Sequence, residues 1–120
     1  MSENPLTLEE IIRWFRLREH TLAHSGVRLA EVRQRTEHLP SAAADFDAAS
    51  MMGRISAWVS GEFDFEALRT ADGKNVFFRH EKVATVDEAS LEDAFSDFIE
   101  HMQNRAGSGG DDSEAGGGDS

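Results

Sequence analysis

The chain has 120 residues, 39% of them hydrophobic, and a net charge of −11, which bounds it to one small domain. With no cysteine it holds no disulfide, thiolate zinc site or cysteine nucleophile. Its charge argues against nucleic-acid phosphate and anionic lipid as direct partners, and favours a basic protein surface.

The charge is unevenly placed. Residues 1–40 hold six acids and six bases, residues 41–105 supply −7, and the stretch from Ala106 to Ser120 supplies −4. No apolar run approaches the roughly 20 residues a bilayer-spanning helix needs. The first residues, Met-Ser-Glu-Asn-Pro, lack the basic and apolar regions of a signal peptide, so cytoplasmic residence is the expectation.

Thr7-Leu8-Glu9-Glu10 reads as a capping box that opens a helix running to about His24. Leu8, Ile11, Ile12, Phe15 and Leu22 form its apolar stripe, widened by Trp14, and Ser25-Gly26 ends it. Val27 to Thr36 reads as an edge strand whose imperfect alternation calls for a bulge. Pro40 marks a loop, and a short strand over Ala43–Ala49 alternates Ala44, Phe46 and Ala48 against Asp45 and Asp47.

Gly53 to Val83 predicts three antiparallel strands joined by turns at Ser60-Gly61-Glu62 and Asp72-Gly73. The first turn pairs Ala57 with Phe65 and the second pairs Ala67 with Phe78. The apolar face then carries Ile55, Ala57, Val59, Phe63, Phe65, Ala67, Val76 and Phe78. The opposite, mainly acidic face carries Ser56, Trp58, Asp64, Glu66, Arg79 and Glu81, with Glu66 opposite Arg79. Thr85-Val86-Asp87-Glu88 reads as a second capping box, leading a helix with Leu91, Ala94, Phe95, Phe98 and Met102 on one stripe. The Gly, Ser, Asp and Glu residues of 106–120 predict a disordered acidic tail after a single domain over 1–105. The expected fold is α+β: a two-layer sandwich in which both helices cover one face of a four- or five-stranded antiparallel sheet.

Catalytic motifs are not found. Asp64 and Glu66 lie on an open face, which lacks the concave, desolvated surroundings that separate two carboxyl pKa values. His20 and His24 have the i, i+4 spacing of two metal ligands on a helix, but no third ligand is evident, so neither metal nor cofactor is expected. Trp14 and Phe15 read as core. Trp58 is different: a large aromatic among carboxylates has the composition of an interface anchor. The partner-binding candidates are therefore Trp58, Asp64, Glu66 and Glu81.

The seventeen residues Met52 to Leu68 resemble the Gly-Arg-Ile-x-x-Trp-x-Ser-Gly-x-x-Asp-x-Glu run of TriTu-type immunity proteins of bacterial polymorphic toxin systems. The Phe77–Glu81 strand, the last helix and the N-terminal helix are similar too, over about residues 8–103. The resemblance implies a non-enzymatic cytoplasmic protein that binds and blocks a toxin domain, one with a basic surface if charge guides the match. Two alternatives are a secretion chaperone, which needs exposed apolar grooves on its helices, and a small ligand-binding domain, which needs a polar pocket between helices and sheet.

Overall fold

The computed structural model describes residues 4–103. The expected tail over 106–120 lies outside them. The order is α1 (Leu8–Thr21), β1 (Arg28–Arg35), β2 (Ser41–Asp47), β3 (Met51–Trp58), β4 (Glu62–Arg69), β5 (Asn75–Lys82) and α2 (Ala89–Met102). The five strands form one antiparallel meander in sequence order. Both helices lie on one face of it, giving the two-layer α+β sandwich expected from the sequence.

The capping box at Thr7 forms. The Thr7 hydroxyl accepts from the Glu10 amide at 3.1 Å, and the Glu10 carboxylate accepts from the Thr7 amide at 3.0 Å. The helix stops at Thr21, short of His24, because His24 and Gly26 both turn to positive φ. That break also separates His20 from His24: only His20 is helical, so the two do not share a helix face. The expected bulge in β1 falls between Leu29 and Glu31. The second capping box does not form. The Glu88 carboxylate folds back to accept from the Ala84 and Thr85 amides, and α2 begins only at Ala89.

Alternation on the strands builds the core. Ala42, Ala44 and Phe46 of β2, Ile55 and Ala57 of β3, and Phe63, Phe65 and Ala67 of β4 are buried on one face. Against them pack Ile11, Trp14 and Phe15 of α1 and Leu91, Ala94, Phe95, Phe98 and Met102 of α2. Trp14 sits edge-on to Phe15, Phe63 and Phe95, as expected for a core residue. The Arg18 guanidinium lies 5.1 Å from the Trp14 ring centroid and pairs with Glu92, joining α1 to α2.

Two hairpin registers differ from expectation, with opposite consequences. The β3–β4 loop is one position earlier, so Ala57 faces Phe63 and Ile55 faces Phe65. This two-residue shift leaves every side chain on its expected face. In the β4–β5 hairpin, Asp72-Gly73 is not a two-residue turn. Only Gly73 has positive φ, whereas that turn needs it at both positions. Arg69 instead pairs its amide with the Lys74 carbonyl, enclosing a longer loop, and a bulge follows between Ala67 and Leu68. The net slip from expectation is one residue, which exchanges the faces of β5. Phe77 turns toward α2, Phe78 turns outward, and Arg79 and Glu81 move to the helix side.

Candidate functional site

Among the described residues, no element covers the face of the sheet opposite the helices. Its outward positions alternate with the buried ones, so each strand dictates what it presents. Arg28, Glu31 and Arg33 come from β1, and Asp45 and Asp47 from β2. Arg54 and Trp58 come from β3, and Glu62, Asp64, Glu66 and Leu68 from β4. Phe78, His80 and Lys82 come from β5.

Three of the four sequence candidates share this face. Trp58, half-buried, stands across from Ser41 at one end of β3. Asp64 lies between Ser56 and His80, and its carboxylate is 2.6 Å from His80 Nδ1. Glu66 lies between Arg54 and Phe78, not opposite Arg79 as the sequence register had it. Glu81 is not on this face. The β5 slip puts it beside Arg79, whose Nε donates to it at 2.8 Å, while Nη1 and Nη2 donate to Asp97 and Asp93 of α2. The bond to Glu81, reinforced by those to Asp93 and Asp97, holds the Arg79 guanidinium above its ordinary pKa.

The face is zoned rather than evenly acidic. On β1 and β2 the charges answer one another: Arg28 meets Asp47 at 2.7 Å and Arg33 meets Asp45 at 2.8 Å. Arg54 reaches across from β3 to Asp45, also at 2.8 Å. That hydrogen bond, helped by the charges of Asp45 and Glu66, raises the Arg54 pKa. The carboxylates collect as a stripe along β4, in Glu62, Asp64 and Glu66. A second acidic surface lies elsewhere, since six carboxylates fall between Asp87 and Glu100, on α2 and the turn before it.

Sequence reasoning missed the apolar part of the face. Phe78 is 59% exposed and Met52 48% exposed, with Leu68 half-buried between their strands. Beside them a groove of about 350 Å³ runs from the β1 bulge at Ala30 past Met52 to Leu68. Phe78, expected in the core, faces outward because Asp72-Gly73 lies in a longer loop closed by the Arg69–Lys74 pairing rather than forming a two-residue turn. Among the described residues no group of three or more His, Asp or Glu side chains is placed to hold a metal.

The arrangement is that of a small open-faced α+β domain with a mixed apolar and charged sheet surface. The model of the family described as Immunity protein TriTu matches residues 9–101, and the chain belongs to this family. The match spans all five strands, α1 from Glu9 and α2 up to His101. Membership assigns the chain a toxin-neutralising role and a toxin as its protein partner. A comparison with curated proteins finds no match. No helix among the described residues is long and apolar enough to cross a membrane.

Proposed function

We propose that the protein neutralises its toxin in the cytoplasm by occlusion, docking the bare sheet face onto a basic surface of the toxin domain. It performs no chemistry in doing so. Trp58 serves as an anchor, and Asp64 and Glu66 meet cationic groups of the partner. The observation that carries this reading is the composition of the face: a half-exposed tryptophan, an exposed phenylalanine and a stripe of carboxylates on strands that no other described element covers. Glu81 drops out of the proposed contact set because it is engaged with Arg79 on the helix side.

The helix stripes are consumed by the core, which speaks against a chaperone that wraps a client in helix grooves. The acidic side of α2 is a second candidate surface for a basic partner. It is favoured by charge alone, and its carboxylates Glu92, Asp93 and Asp97 are already paired with Arg18 or Arg79. Long-range steering is the role that suits it.

Tryptophan fluorescence tests the docking. Trp14 is buried and Trp58 half-exposed, so a neutral quencher reads mainly Trp58. Binding of the toxin domain is expected to protect that fluorescence from quenching. Unchanged quenching in a fully formed complex would contradict docking through Trp58.

A further inference from the structure

We propose that the groove on the bare sheet face is a subsite for one arginine side chain projecting from the partner, received by Glu66 in the groove lining and by Phe78, the cross-strand neighbour of Glu66 outside that lining. This rests on the reading that the sheet face is the toxin-binding surface, and it names the chemical group that surface receives.

Charge accounting around the groove leaves one carboxylate over. Glu31, Asp45, Asp47 and Glu66 line it, and three guanidinium groups, those of Arg28, Arg33 and Arg54, answer them. Asp45 takes both Arg33 and Arg54, and Asp47 takes Arg28. Glu31 sees Arg33 only at 4.0 Å. Glu66 has no cation within ion-pair distance among the described residues, because its cross-strand neighbour Arg54 turns its Nε to Asp45. A half-buried carboxylate with unused acceptor capacity gains most from a charged donor supplied from outside.

The neighbours of Glu66 select the donor. Its direct cross-strand partner on β5 is Phe78, whose ring is exposed. A guanidinium can stack on an aromatic face while its planar edge donates to a carboxylate, a combination that suits arginine better than lysine. Met52, Leu68 and Ala30 supply an apolar floor for the aliphatic stem. The groove volume of about 350 Å³ has room for an arginine side chain.

The probe is N-acetyl-arginine methylamide, with the citrulline analogue as a neutral control of the same shape. Both are titrated into labelled full-length protein and followed by amide chemical shifts. The arginine probe is expected to give saturable shifts around residues 30–31, 52–54, 66–68 and 78, and the citrulline probe none. Glu66→Gln should weaken the arginine response several-fold. Equal response to both probes, no saturable response, or indifference to Glu66→Gln overturns the proposal. Toxin-domain affinity then separates the subsite from the docking reading. Glu66→Gln with Phe78→Ala should weaken the complex by about tenfold or more, as loss of a desolvated charge pair does. If that variant binds normally while Trp58→Ala with Asp64→Arg does not, the subsite is wrong and the sheet face stands. If both variants bind normally, both readings fall.

Discussion

A Cβ built on Gly53 would lie 2.6 Å from Cζ of Phe98, a distance no real side chain tolerates. Gly53 is the point where β3 lets α2 approach the sheet, with Met102 Sδ also 2.7 Å from that position. Gly53→Ala should therefore destabilise the fold by about 1–3 kcal/mol through overpacking. Urea unfolding measures it. Adding Phe98→Leu should recover part of the loss, since the two changes share one contact.

Gly61 faces a harder obstacle. Its φ is +98°, and a Cβ there would lie 2.1 Å from the Val83 carbonyl oxygen, which is backbone and cannot step aside. Gly61→Ala should cost about 3 kcal/mol or more, combining strain and clash. A thermal melt within about 0.5 kcal/mol of the parent, the ordinary range of a surface change, would contradict this placement. Gly53 and Gly61 both belong to the run that carries the family resemblance, and both have a structural reason to be glycine.

How far the sequence discloses this fold depends on which signals are local. Thr7 and Glu10 cap α1 as read, the β1 bulge lies at Ala30, and the inward set from Ile55 to Ala67 is buried. Each follows from side-chain period or a three-residue spacing. The β5 face was not legible, because Asp72-Gly73 serves a longer loop as readily as a two-residue turn, and the choice is made by Arg69 and Lys74 pairing across it. Trp58, Asp64 and Glu66 were placed on the right face because β3 and β4 slip by two residues, which the alternation forgives. Glu81 and Phe78 depended on β5 and were exchanged between faces.

Arg79 joins β5 to α2 through Asp93 and Asp97, each at 3.1 Å. Arg79→Met keeps the stem and removes all the donors, leaving the half-buried Asp97 and Glu81 without them. The expected loss is about 1–3 kcal/mol, the cost of orphaned polar groups. Hydrogen exchange should show faster opening of α2 than of β2 and β3. Uniform exchange across the domain would argue against this anchoring role.

Asp72 carries a pH dependence. Its carboxylate accepts from the Arg69 side chain and the Lys74 amide, and these bonds hold its pKa below the ordinary carboxylate value. The folded pKa is the depressed one, so its stabilisation is present above the unfolded pKa and fades as pH falls through the folded value. Asp72→Asn should be less stable than the parent at neutral pH, and the difference should shrink in acid. Parallel stability curves from neutral to acid pH would contradict the pairing.

The most direct test of sheet-face docking compares two charge-altered variants in one titration against the toxin domain. The first is Trp58→Ala with Asp64→Arg on the bare face. The second is Asp87→Lys with Glu100→Lys beside and on α2, at exposed positions. Docking through the sheet predicts that the first variant loses complex formation and protection from the toxin. The second should retain affinity within a few-fold, with its loss confined to a salt-dependent association rate. Full affinity and protection in the Trp58 and Asp64 variant, with loss in the α2 variant, would contradict the account.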